Sequence, residues 1–349
     1  MNEVLACYPS ANRTISPNLL IFLPKTMRQP LAMQDSQPQR DDVQQRLIAL
    51  LQALAPEEGY NLTALPSVRI LRSDRALTRT PVLYDPGIVM VGQGSKRGYF
   101  GDQMYLYDAQ HYLAVSVPVP FDMETDATPA QPLLALYLHL DFAIAADVMV
   151  QIDRHPQAAP TQAPQSMLSS PVDADLRVSI LRFLQALSRP LEAAVLGPGL
   201  LRELYFRVLT GPQGSAMREA LARKGQYGKI GRALRRIHAG YAEALDLALL
   251  AQEAGMSVAA FQSHFKAITR TSPMQYLKST RLHQARLLMV RHGLTAGSAC
   301  FAVGYTSASQ FSREFRRLFG TTPAAEARRM RANFALPPAF AGNEFVSSH

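Results

Sequence analysis

Hydrophobic positions follow three successive regimes along the chain. From Asp41 to Ala55, the apolar residues Val43, Leu47, Leu50, Leu51 and Leu54 recur at three- and four-residue steps. Asp41 or Asp42 stands where an N-cap belongs, so the pattern predicts a helix. Between 60 and 150 the period shortens. Val68–Leu71, Ile88–Val91, Tyr99–Phe100, Met104–Tyr107, Tyr112–Val119 and Leu133–Leu140 read as strands. Turn signals separate them at Asp85-Pro86-Gly87, Gly92-Gln93-Gly94, Gly101-Asp102 and Asp108-Ala109. Many short strands at this spacing predict a small antiparallel barrel or sandwich. Ala158 to Ser170 is rich in Pro, Gln and Ser and reads as an exposed loop. After it the period is helical: Asp173–Leu187, Gly199–Leu209 and Ser215–Lys224 are connector helices, followed by Tyr227–Ala239. The expected fold class is α+β, in several domains: a flexible tail (1–40), an antiparallel β-barrel domain (41–155), a loop with connector helices (156–226), an all-α domain (227–334) and a second tail (335–349).

The last of these domains contains an internal echo with a period of 50 residues. Gly255-Met256-Ser257, Phe261, Phe265, Thr271 and Pro273 return as Gly304-Tyr305-Thr306, Phe311, Phe315, Thr321 and Pro323, with one extra residue between the Gly and the first Phe of the second copy. In each copy the two Phe lie four apart, on one helix face, and the Pro ends helical continuation. Each copy reads as helix, tight turn, helix. Leu247–Ala254 leads to Gly255, and Ser257 caps a helix from Val258 to about Ile268. Ala296–Val303 leads to Gly304, and Ser307 begins a helix ending near Phe319, with Gly320 as its cap. A helix from Pro273 to about Val290 joins the copies, and at about 1.5 Å per residue it spans about 25 Å. That length suits two reading helices set into successive major grooves of duplex DNA, which recur about every 34 Å.

Charge sharpens this reading. Residues 228–334 carry 16 Lys+Arg against 5 Asp+Glu, a net of +11, while the whole chain is +9, so the remainder is −2. A basic excess confined to the repeated part points to a polyanionic partner, double-stranded DNA above all. No run of about 18 uninterrupted apolar residues suggests a membrane span: the best, Leu133 to Met149, is broken by His139, Asp141 and Asp147. Leu19–Leu23 is too short for a secretory core. Cys7 and Cys300 lie far apart without metal-type spacing, as expected of a cytoplasmic protein in a reducing compartment.

These residues resemble the AraC/XylS family of bacterial transcription regulators. The stretch Ala251-Gln-Glu-Ala-Gly-Met-Ser257 resembles its first turn. Gly304-Tyr305 through Phe311-Ser-Arg-Glu-Phe315-Arg-Arg-Leu-Phe-Gly-Thr-Thr-Pro323 resembles its second-unit signature, and Arg281-Leu282 with Ala285-Arg286 fits the joining helix. Pro81-Val-Leu-Tyr-Asp-Pro86, Val91-Gly-Gln-Gly94, Gly101-Asp102, Tyr107-Asp108 and Tyr112-Leu-Ala-Val-Ser-Val-Pro118 resemble the cupin-like sensor domain of one branch of that family. The resemblance implies that the first reading helix presents Ala259, Gln262, Ser263 and Lys266, and the second Ala308, Ser309, Gln310, Arg313, Arg316 and Arg317. Arg313 suits bidentate bonding to guanine, and Gln262 or Gln310 suits adenine. Lys266, Arg316 and Arg317 suit phosphates. Ala259 and Ser263 are small where longer base readers are common, and Arg270 stands where Gly320 stands in the second copy. The second unit is therefore expected to dominate specificity.

The barrel is read as the seat of a small effector. Arg69, Arg72, Arg75 and Arg79, with Lys96 and Arg97, stand out in a half of negative balance, and an anionic ligand is the specific reading beside that of a solvated basic edge. His111, His139 and His155 lack the close spacing of metal ligands, and no nucleophile-elbow, Cys-x-x-Cys or phosphate-loop pattern occurs, so no catalytic residues, metal or cofactor are assigned. The expected molecule is an effector-controlled, sequence-specific regulator whose further partners are RNA polymerase and, through the connector helices, a second copy of itself. Its rivals are a ligand-independent architectural DNA binder and a cupin enzyme with a DNA-binding tail.

Overall fold

The computed structural model describes residues 37–155, 162–222 and 225–333. Of the tails predicted for 1–40 and 335–349, residues 1–36 and 335–349 lie outside them. The first helix, α1 (Gln37–Leu54), starts four residues before the predicted Asp41, within the stretch read as tail. Ten strands follow: β1 (Gly59–Leu62), β2 (Val68–Ser73), β3 (Leu77–Tyr84), β4 (Gly87–Gln93), β5 (Ser95–Phe100), β6 (Gln103–Asp108), β7 (His111–Val115), β8 (Val119–Asp126), β9 (Leu133–His139) and, after helix α2 (Phe142–Asp153), β10 (Met167–Pro171). They form one antiparallel sheet in the order β1-β2-β9-β4-β7-β6-β5-β8-β3, with β10 pairing β7. It is a barrel open between β1 and β3.

Both faces of this sheet are covered over β4 and β9, and the sequences of those strands follow from that. All of β9 is buried, as is β4 up to its last residue, which explains their unbroken apolar runs. The concave face gathers Tyr84, Val89, Phe100, Tyr107, Leu113, Val115, Phe121, Leu133 and Tyr137. The convex face, with Ile70, Ile88, Met90, Leu134, Leu136 and Leu138, packs under helices α1, α2, α3 (Ala174–Leu187) and α5 (Gly197–Thr210), with α4 (Pro190–Val195) between the last two. β5 and β8 alternate buried and half-buried positions instead, the period-two signature of a strand with one wet face.

Two expectations are corrected here. Tyr112–Val119 is two strands rather than one: Ser116 turns away to donate its N–H to Ser166 O (2.9 Å), Pro118 has no N–H for a ladder, and β8 restarts at Val119 on different neighbours. Part of the Pro- and Ser-rich loop is a strand, β10, held by five-residue register with β7. The apolar run Leu133–Met149 is strand then helix, broken where Asp141 Oδ1 accepts from Ala143 N (2.9 Å) and Ile144 N (3.0 Å) to cap α2. Strands β1, β3 and β8 and helices α2, α4 and the last helix (Pro323–Asn333) were not expected.

After α6 (Gly214–Leu221), the C-terminal helices are α7 (Gly225–Ala239), α8 (Leu247–Ala254), α9 (Val258–Thr269), α10 (Pro273–Arg291), α11 (Ala296–Ala302), α12 (Ala308–Phe319) and α13 (Pro323–Asn333). The first unit does not have a core of its own. Ile230, Leu234, Ile237, Leu250, Phe261, Phe265, Tyr276 and Leu277 are continuous with the concave face of the sheet. The second unit has a separate core of Leu282, Ala285, Met289, Ala299, Cys300, Val303, Tyr305, Phe311, Phe315 and Phe319.

Polar bonds seal the seam between sheet and first unit. Tyr276 OH donates to Pro118 O (3.0 Å), so it must accept from His238 Nε2 (2.8 Å), which makes His238 the neutral Nε2–H tautomer. Ser166 Oγ donates to Ile268 O (2.6 Å), and Tyr227 OH to Pro164 O (3.0 Å).

Candidate nucleic-acid interface

Each unit is built as its sequence pattern predicts. Ser257 Oγ accepts from Ala260 N (3.4 Å) at the start of α9, and Ser307 Oγ from Gln310 N (3.3 Å) at the start of α12. The Phe pairs point inward: Phe261 and Phe265 meet edge-on at 5.4 Å between centroids, and Phe311 and Phe315 lie tilted at 5.6 Å. All four are essentially inaccessible. With those faces fixed in the cores, the opposite faces must look outward. On α9 the outward residues are Ala259, Gln262, Ser263 and Lys266, and on α12 they are Ala308, Ser309, Arg313, Arg316 and Arg317. Gln310 is half-buried, and its Nε2 donates to Glu314 Oε1 (3.2 Å).

The two units are held at a fixed angle by contacts the sequence did not announce. Arg281 on α10 donates from Nε to Tyr241 O (2.7 Å) and from Nη2 to Glu243 O (2.8 Å), in the loop between α7 and α8. The same guanidinium lies 6.0 Å from the centre of the Tyr305 ring, in the turn of the second unit. Gly304, at φ +82°, presses against the Ala242 backbone, where a Cβ would overlap the carbonyl. Replacing Gly304 by Ala should therefore cost left-handed strain of about 1–2 kcal/mol and that overlap besides. At Gly255, φ +63°, a Cβ would meet only the end of the Arg232 side chain at 3.6 Å. Urea melts should show Gly304→Ala clearly more destabilising than Gly255→Ala; equal losses would mean that the two units do not press together there.

Arg270 ends α9 in the left-handed region (φ 57°), the single non-glycine residue to do so among those described. Its stem passes over the β5–β6 hairpin turn, with Cγ 3.5 Å from where a Gly101 Cβ would be. The glycine expected at this helix end is thus replaced by a residue that reaches the sheet domain, at a backbone cost of order 1–2 kcal/mol.

The basic residues proposed for the effector separate into two groups. Arg72 pairs with Asp74 (2.8 Å), Arg75 with Glu58 (2.6 Å), Arg79 with Asp122 (3.0 Å) and Arg97 with Glu124 (3.2 Å). Arg79 also stacks on the Tyr99 ring at 4.3 Å. Arg69 and Lys96 are buried, at 7% and 2% exposure. The Lys96 ammonium lies 6.0 Å from the centre of the Tyr84 ring on the concave side. At the end of β3, Asp85 accepts from Tyr137 OH (2.7 Å) and meets His139 Nδ1 (2.7 Å). The joining of Asp85, Tyr137 and His139 was not read from sequence, because they come from strand ends far apart in the chain. No group of three or more His, Cys, Asp or Glu among the described residues could hold a metal ion. No helix among them is long and apolar enough to cross a membrane.

Known proteins match both halves. A model of the AraC-type transcriptional regulator N-terminus matches residues 64–216, and a helix-turn-helix domain model matches 250–329. The virulence regulon transcriptional activator VirF of Yersinia enterocolitica is 25% identical over 161 residues, 46% of this chain and 59% of that protein, so the chain spans about three fifths of that relative's length. The RCS-specific HTH-type transcriptional activator RclR of Escherichia coli is 37% identical over 82 residues, 24% of this chain and 29% of that protein. ToxT of Vibrio cholerae, bound to (E)-4-(8-methylnaphthalen-1-yl)but-3-enoic acid, superposes with a TM-score of 0.53 at 10% identity, covering 74% of this chain and 98% of that one, which is a likeness of fold. The curled sheet thus matches the N-terminus of AraC-type transcriptional regulators, and the repeat matches a helix-turn-helix domain.

Proposed function

We propose that this protein is a sequence-specific DNA-binding transcription regulator whose DNA affinity is set by a small, carboxylate-bearing apolar effector in the curled sheet. The observation that carries the DNA half is the pair of outward faces on α9 and α12, joined by α10 and set in the basic part of the chain. Arg313 reads guanine, Gln262 and Gln310 read adenine, and Lys266, Arg316 and Arg317 neutralise phosphates. The effector half is supported by an apolar concave face carrying Lys96 and Arg69, and by the acid that ToxT binds. The first unit packs on that face, and α10 and α12 both come against β3, so a ligand there would press on both reading units. Arg72, Arg75, Arg79 and Arg97 already have acidic partners and serve less well. The molecule acts in the cytoplasm by binding rather than catalysis. RNA polymerase is its further partner, and the helices on the convex side are the surface on which two copies would meet.

Selection by the full-length protein from a random duplex pool, in a salt series, tests the DNA half. Enrichment of one site, with a gap from scrambled duplex, is the expected result; sequence-blind binding that vanishes with salt would favour an architectural role. On the selected site, Arg313→Ala should cost about 1–3 kcal/mol and relax one base pair, and Gln262→Ala should cost less. Equal losses would remove the dominance of the second unit. Titration with straight-chain carboxylates tests the effector half, which fails if none changes the affinity for the selected site.

A further inference from the structure

Glu314 lies on the reading helix α12 yet is turned inward, at 8% exposure. Three donors converge on it: Lys278 Nζ of α10 on Oε1 (3.0 Å), Tyr305 OH of the turn on Oε2 (2.7 Å), and Gln310 Nε2 on Oε1 (3.2 Å). Burial pushes its carboxyl up, and these donors outweigh burial and hold it below the ordinary carboxylate range. An ionised carboxylate can only accept hydrogen bonds. It therefore admits one of the two orientations of the Gln310 amide, NH2 toward itself, because the flipped amide would set oxygen against oxygen. Gln310 sits in the first turn of α12, the end of a reading helix that meets base edges. With one N–H taken by Glu314, its carbonyl oxygen and second N–H remain for a base. That donor–acceptor pair matches the N6 and N7 edge of adenine.

We propose that Glu314 is a positioning residue for specificity: it touches no DNA and fixes the amide of Gln310 in the orientation that reads one base pair. The inference rests on the reading of α12 as a base-reading helix. It predicts that Glu314→Gln, which can donate as well as accept, lets Gln310 flip and erases a preference that the fold itself does not need.

The test is selection from a random duplex pool by full-length wild type, E314Q, Q310A, the double variant and K278M, with thermal melts of each. The expected result is a roughly tenfold loss of discrimination in E314Q, confined to the base pair that Q310A also relaxes. The double variant should be no worse than Q310A, and the salt slope should be unchanged. K278M, which cuts the tie to α10 and leaves the amide held, should keep the wild-type profile. If the wild type enriches no sequence, the reading of α12 falls, and the proposal with it. If the wild type enriches a site but E314Q keeps its profile, or loses discrimination evenly at all positions, the positioning role alone is overturned.

Discussion

Replacing Arg286 by Met is expected to destabilise the second unit by about 3 kcal/mol or more, the cost of stripping one partner from a buried ion pair. Arg286 and Glu326 are both fully inaccessible, with Nη1 to Oε1 at 3.3 Å. The guanidinium also reaches His283 Nδ1 (3.3 Å) and lies 4.4 Å from the centre of the Phe319 ring. Burial pulls the Arg286 guanidinium down to about 10 against the opposing pull of Glu326. Arg329 grips Glu326 from the half-exposed side through Nε (2.9 Å) and Nη2 (3.0 Å), but it cannot replace the inner partner without moving into the core. Urea denaturation of the full chain measures the loss. R286M combined with E326L should regain most of it, since an apolar pair of similar volume removes the stranded charge. A loss under about 1 kcal/mol in R286M alone would mean that water reaches Glu326.

Acid should loosen the molecule well above the range in which carboxylates titrate. His238 is buried in the seam between sheet and first unit, and burial pushes its imidazole down to about 3, only partly offset by Asp85. The folded chain keeps His238 neutral, while the unfolded chain protonates it near 6.5. Its contribution is therefore complete above pH 6.5 and is lost as pH falls from there toward 3, by about 1.4 kcal/mol per unit, or about 2 kcal/mol at pH 5. His283, in the core of the second unit, is held well below its usual value by burial and then by Arg286, and adds to the same window. Urea midpoints between pH 7.5 and 5 should fall, and His238→Gln should remove the part of the slope that belongs to one proton. An unchanged slope in that variant would assign the acid response elsewhere.

What was legible in the sequence was local. The turn glycines, the caps Ser257 and Ser307, the paired Phe and the closing Pro each act within one or two helical turns, and the helices from α8 to α12 lie within a residue or two of where those signals put them. The sheet was only half legible, because strand identity depends on partners far along the chain. β3 carries Pro81 in mid-strand, which argues against a strand until β3 proves to be the last in the sheet, paired on one side with β8. β10 hides in a Pro- and Ser-rich stretch and is a strand because β7 is there to pair with it. The basic cluster before Pro81 illustrates the same limit. Residues close in sequence fall on different elements, so Arg69 within β2 is buried, while Arg75 in the turn after β2 and Arg79 on the edge strand β3 meet surface acids. On the reading helices, periodicity told inward from outward, but nothing in the order of residues said that Glu314 would hold Gln310.

The seam that sequence places near residue 226 is not where the molecule is weakest. The apolar core runs without interruption from the concave sheet into α7, α9 and α10, while the second unit closes around its own Phe311, Phe315 and Phe319. The larger body is thus the sheet together with the first helix-turn-helix unit, and the second unit is a smaller body joined to it through α10, the Arg281 bonds, the Gly304–Ala242 contact and α12 against β3. Local opening on this layout separates α9 from α12 before it separates the first unit from the sheet.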